Sequence, residues 1–177
     1  MRVFSLGSSL LLTFCLAVSY AQEEPWLPPD AQALTDESEV VQTIGTASQE
    51  LMVAARFLRS TAIADALRVA TVKRGVAVYI LTPAENIVDP ASYTASLGLA
   101  GASVKLAPVS DSFILVDRQV TVVGPLISGL STLPGERALP TYLVNDPAYA
   151  SPFVEGFYTS FSAAPPFDHE TLIPEEE

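Results

Sequence analysis

Ser110, Ser112 and Asp117 are the side chains whose spacing comes nearest to a reactive constellation in this chain. They lie in Pro108-Val109-Ser110-Asp111-Ser112-Phe113-Ile114-Leu115-Val116-Asp117-Arg118-Gln119-Val120-Thr121-Val122-Val123-Gly124, followed by Pro125 and Ile127. A serine hydroxyl attacks only when a base takes its proton, and no histidine lies nearby. The one histidine, His169, sits in an acidic tail. Asp117 falls at a turn between two apolar runs, where a carboxylate commonly bonds neighbouring amides. Arg56 and Arg59 follow the first strand and could hold an anion or stand as solvated loop charges. No metal-ligand cluster, glycine-rich phosphate loop or thiol site is present, so no metal or cofactor is expected.

Elements that would position these residues can be read along the chain. Asp36 with Glu39 three residues on forms a capping box before the stripe Val40, Val41, Ile44 and Ala47, with Gly45 inside that helix. Leu51 to Phe57 reads as a buried strand. Ser60 caps a helix whose face is Ile63, Ala66, Leu67 and Ala70, closed by Lys73-Arg74-Gly75. Val76 to Leu81 is the next strand, giving a right-handed parallel βαβ unit. A helix from Ala91 to Leu99 and a strand Ser103-Val104-Lys105-Leu106 follow. Phe113–Asp117 and Val120–Val123 make two strands, apolar on both faces, as in a sheet covered on both sides. Residues 126–140 read as a loop, Tyr142–Asn145 as a last strand and Pro147–Ser162 as a helix. Tyr149, Phe153, Phe157 and Phe161 recur on that helix at a spacing that reads as core.

The segment from Pro108 to Gly124 resembles the motif of the phospholipase D-like superfamily, H-x-K-x-x-x-x-D followed by a second strand, Gly-Ser and an Asn. The unit Ala62–Ile80, the strand Gly101–Leu106 and the run Tyr142-Leu143-Val144-Asn145-Asp146-Pro147 resemble further pieces of that domain in order, over residues 38–162. The resemblance implies a phospholipase D-like half domain: an α/β fold with a mixed, mostly parallel sheet covered by helices on both faces. It also implies a phospho-histidine reaction, in which the His attacks, the Lys neutralises phosphate and the Asp holds the His. Here the His falls on Ser110 and the Lys on Ser112, while Asp117 and Gly124 keep their places. Pro125 stands for the Ser and Ile127 for the Asn. The motif is therefore degenerate, and the implied role is a catalytically inactive binding or structural module. The alternatives are a divergent phosphodiesterase and a subunit that pairs with an active phospholipase D-like chain. In single-motif members of the family the site lies at a homodimer interface, so a homodimer is implied here as well.

Composition adds the compartment. Arg2, the apolar run Val3–Val18 and the small residues Ser19 and Ala21 read as a signal peptide over residues 1–21, shorter than a membrane span. A retained anchor is the other reading. Export to the periplasm or medium is expected, with no membrane contact once the signal is cleaved. Cys15 leaves with the signal, so the mature chain has no disulfide. Residues 22–35 are a Pro-rich acidic lead-in containing Trp26, the domain spans 36–162, and 163–177 is an acidic tail expected to be disordered. The net charge of −11 sits at the ends. Residues 40–163 carry nine acids and eight bases, and no basic stripe suits a nucleic acid.

Overall fold

A computed structural model of the chain describes residues 27–129 and 140–167. The segment read as a signal, Trp26 and His169 lie outside the described residues. One seven-stranded sheet runs β1 (Gln32–Leu34), β7 (Thr141–Asn145), β6 (Val120–Val123), β5 (Phe113–Val116), β2 (Glu50–Ala54), β3 (Ala77–Thr82), β4 (Ser103–Leu106). β2, β3 and β4 pair in parallel, and the remaining four pairings are antiparallel. The sheet is thus mixed, as expected, with a particular balance. Five of its seven strands point the same way, but β5 and β7 reverse and make most neighbouring pairs antiparallel. The cause is local: the three residues between β5 and β6 permit only a hairpin.

Helices cover both faces. α1 (Glu37–Gly45), α2 (Thr61–Arg74) and α4 (Thr94–Leu99) lie on one face, where Ile44, Ile63 and Leu67 meet Leu51, Val53, Ile80 and Ile114. α5 (Pro147–Ala163) lies on the other, over Met52, Ala54, Leu81 and Leu115. The capping box is as read: the Asp36 side chain accepts from the α1 backbone, and the Glu39 carboxylate accepts from Asp36 N–H at 3.2 Å. Gly45 closes α1 rather than interrupting it. Ser60 Oγ accepts from Ile63 N–H at 3.2 Å, and Gly75 ends α2 in the left-handed region at φ 68°. The Arg74 guanidinium then reaches the carbonyls of Ile44, Gly45 and Ala47 at 3.0, 2.8 and 3.1 Å. It satisfies orphan carbonyls at the C-terminal end of α1 and opposes the negative pole of that helix. At the other end Ser60 Oγ donates to Glu37 at 2.8 Å, so α1 and α2 run side by side in the same direction.

Several boundaries differ from the sequence reading, each for a local reason. β2 stops at Ala54 because Arg56 N–H turns to the Ser112 hydroxyl at 3.3 Å. α4 starts at Thr94 rather than Ala91 because Asp89 accepts from the Ala91 and Ser92 amides, making a turn. A further helical turn, α3 (Glu85–Val88), follows Pro83. The lead-in contributes β1, which pairs with β7 and begins the fold before residue 36. The segment beyond residue 163, read as disordered, starts with an ordered stretch. Leu106 N–H donates to the Pro165 carbonyl and Phe167 N–H to the Val104 carbonyl, both at 3.0 Å, laying Pro165–Phe167 along β4.

The aromatic stripe of α5 is core. Phe157 is 2 % exposed, stacks on Phe161 at 5.3 Å and meets Phe113 edge-on at 6.3 Å. Phe157→Ala is expected to cost about 3–5 kcal/mol in urea denaturation. A stripe serving as an outer surface would lose no more than about 0.5 kcal/mol.

Candidate functional site

The residues of the Pro108–Ile127 stretch separate into four places. Ser112, Gly124 and Pro125 gather where β5 begins and β6 ends, beside the carboxyl end of β2. Gly124 N–H donates to the Ser112 carbonyl at 3.0 Å, and Ser112 Oγ lies 2.9 Å from the Ser128 hydroxyl. Ser110 stands on the rim, where its hydroxyl donates to Asp111 at 3.1 Å. Asp117 sits at the opposite end of β5. Five residue steps at about 3.3 Å place it roughly 16 Å from Ser112. A carboxylate there cannot orient a side chain at position 110, so the implied role of holding a catalytic His does not fit this geometry.

What Asp117 does hold is the approach to β2. Its carboxylate accepts from the Ser48 amide and hydroxyl, both at 2.8 Å, and from the Gln49 and Glu50 amides at 2.9 Å. Burial opposes ionisation, but these donors outweigh it and keep the carboxyl below the usual aspartate range. Asp117 and Arg118 both take positive φ, 50° and 58°, in a turn closed by Gln119 N–H to the Val116 carbonyl at 3.0 Å. Aspartate tolerates this region; arginine does so at a cost. Arg118 is anchored in return. It pairs with Glu50 and donates to Tyr158 Oη at 2.7 Å, and Tyr158 donates to Glu50 at 3.2 Å.

Gly124 has a steric reason of its own. At φ 137° a Cβ would stand 2.6 Å from Thr141 Cα, so the backbone of β6 leaves the sheet only through glycine. Pro125 then opens a 3-10 turn, Pro125–Ser128, whose Leu126 amide donates to Thr141 Oγ1 at 3.0 Å. Ile127, the position matched to the Asn, is wholly buried in the core beneath α1 and α2. The turn presents Ser128 to the strand end instead. Sequence reasoning passed over this residue, and nothing short of the turn's phase would have singled it out.

Two cavities open at this end of the sheet. One, of about 290 Å³, lies under Ser110 and Asp111 between Ala54, Phe113 and the α5 residues Phe153 and Gly156. The other, of about 500 Å³, lies over the ends of β2, β3 and β4 and includes Arg56 and Glu85. The two cavities share Pro108 and Val109. Arg59 does not reach into either. It pairs with Asp89 at 2.8 Å and stacks on Phe57 at 4.8 Å, which is the loop-charge role. Among the described residues no group of three or more His, Cys, Asp or Glu could hold a metal ion.

No protein-family model and no curated protein sequence matches the chain. Among solved structures, Nuc from Salmonella typhimurium, a phospholipase D family member, superposes with a TM-score of 0.64 at 21% identity. The match covers 79% of this chain and 99% of Nuc. The fold is that of a phospholipase D-like domain. NucT from Helicobacter pylori matches it too, with a TM-score of 0.65 over 77% of this chain and 97% of its own, at 13% identity. TrmBL2, an archaeal chromatin protein with a novel mode of DNA binding, gives a TM-score of 0.60 at 14% identity. That match covers 81% of this chain and 57% of TrmBL2. Within this phospholipase D-like fold the strand-end position carries hydroxyls, and the acid of the stretch serves the far end of the sheet.

Asp117→Asn is expected to lower stability by about 2–3 kcal/mol, because an amide hydrogen then faces amide donors. The folded carboxyl titrates below its unfolded value. Its contribution is therefore complete above about pH 5, a unit above the unfolded value, and is lost as pH falls through the lowered folded value. Denaturation of both proteins across pH 2–7 should show a constant gap above about pH 5 that narrows in acid.

Proposed function

We propose that this chain is an exported, catalytically inactive phospholipase D-like domain that serves as a binding module. The observation that carries the reading is the Ser112 hydroxyl, which is spent on Ser128 at 2.9 Å and on the Arg56 amide. No imidazole stands beside it among the described residues. A hydroxyl without a base is a poor nucleophile, and the position of the motif's lysine is held by Ser112 itself, which leaves Arg56 as the cation at this strand end. Lys105, on β4, instead lies over the Phe161 ring at 4.9 Å. Asp111 adds a carboxylate between Ser110 and Ser112, which disfavours a phosphodiester at the rim. Export rests on Arg2, the run Val3–Val18 and Ser19-Tyr20-Ala21. The near-neutral domain with acidic ends favours no nucleic-acid partner.

The purified mature chain is expected to hydrolyse bis(p-nitrophenyl) phosphate no faster than buffer does. Turnover that disappears in Ser112→Ala would overturn the inactive reading. We further propose that two copies pair over the strand ends that carry Ser110 and Ser112. Serines at positions 110 and 112 remove two charges from that end and so lower the desolvation cost of closing it, while Arg56 and Glu85 stay in the neighbouring groove. The same surface would serve pairing with a phospholipase D-like chain that retains H-x-K. Light scattering of the isolated protein is expected to give the mass of two chains. A monomer at the highest attainable concentration rules out the self-pairing.

A further inference from the structure

We propose that the groove over the carboxyl ends of β2, β3 and β4 binds a small apolar zwitterion of the amino-acid class. Arg56 would hold its carboxylate and Glu85 its ammonium group. This deepens the binding-module reading and rests on it. At about 500 Å³ the groove falls in the range of small-molecule sites. It also lies where open α/β sheets take ligands, outside the carboxyl ends of parallel strands. Its walls are apolar and stiff: Pro83, Leu106, Pro108 and Pro165 line it, and proline fixes the backbone in advance of binding.

Two charges stand in these walls. The ion pairs among the described residues are Arg59–Asp89, Arg68–Asp65 and Arg118–Glu50, so Arg56 and Glu85 form none with each other or with another described residue, although the Arg56 guanidinium lies 5.7 Å from the Phe57 ring. Their spacing is held by one buried framework. Asn86, 1 % exposed and adjacent to Glu85, donates from Nδ2 to the Arg56 carbonyl at 3.0 Å and to Thr82 Oγ1. Thr82 in turn donates to the Ala55 carbonyl at 2.9 Å, and the Arg56 amide is tied to Ser112. A lone anion such as phosphate would meet Arg56 but also Glu85, and a lone amine would meet both in reverse. A zwitterion satisfies the two at once, with a fork of guanidinium hydrogen bonds on its carboxylate and its apolar body against the prolines.

Isothermal titration of the mature chain with leucine, N-acetyl-leucine, leucine amide and 4-methylpentanoate tests this. Leucine is expected to bind about tenfold or more tightly than any of the three singly charged analogues. Arg56→Gln should remove that advantage over leucine amide, and Glu85→Gln the advantage over N-acetyl-leucine and 4-methylpentanoate. Both side chains are exposed, so neither change touches the core. Equal affinities across the four compounds, or no heat with leucine, would overturn the assignment. The parallel phosphodiesterase assay separates the two readings. Hydrolysis there sinks the inactive module, whereas silence in both experiments sinks the zwitterion site alone.

Discussion

Four hydrogen bonds to the Asp117 carboxylate join the β5–β6 hairpin to the entry of β2, and the sheet takes its order from that junction. β2 and β5 are neighbours although more than fifty residues separate them in the chain. Their register decides which side chains arrive together at the opposite end. Fixing Ser48–Glu50 against the hairpin turn sets that register, because a slip of one residue would exchange the two faces of β5. Ile114 and Val116 then face α1 and α2, while Phe113 and Leu115 face α5. Ser112, just beyond the strand, comes to rest against Arg56 and Ser128. A carboxylate at one end of the sheet thus places a hydroxyl at the other.

The same junction shows what individual residues of the Pro108–Gly124 stretch do for the sheet. Asp117 and Gly124 each carry a backbone duty. One gathers amides; the other lets its backbone approach the Pro140–Thr141 segment closer than any Cβ allows. Ser112 carries a lesser duty, its hydroxyl bonding the Arg56 amide and Ser128, while Ser110 stands on the rim. Replacing Asp117 or Gly124 therefore strains the frame, whereas replacing Ser110 alters only the rim.

Much of the frame was legible in the sequence, and what escaped it did so for physical reasons. The α2 unit, with Ser60 at one end and Gly75 at the other, announces itself because caps and apolar period agree. The α5 stripe reads correctly because aromatic spacing reports a buried face. β1 is hidden because three residues in a proline-rich acidic lead-in gain their pairing only from β7. The phase of the Pro125–Ser128 turn is equally invisible, so Ile127 looked like a site position when it is core. Arg56 and Arg59 are indistinguishable as letters. Only the position of Asp89, thirty residues on, shows which of them is occupied.

The short return of Pro165–Phe167 along β4 bears on how this protein meets others. Sheet edges invite strand addition, and natural sheets blunt them with brief strands or prolines. Here one border ends in β1, only three residues long, and the other is overlaid by a segment with prolines at 165 and 166. A proline has no amide hydrogen to offer a further strand. Among the described residues both flanks thus offer a further strand little backbone to pair with, and the cavities open instead at the strand ends.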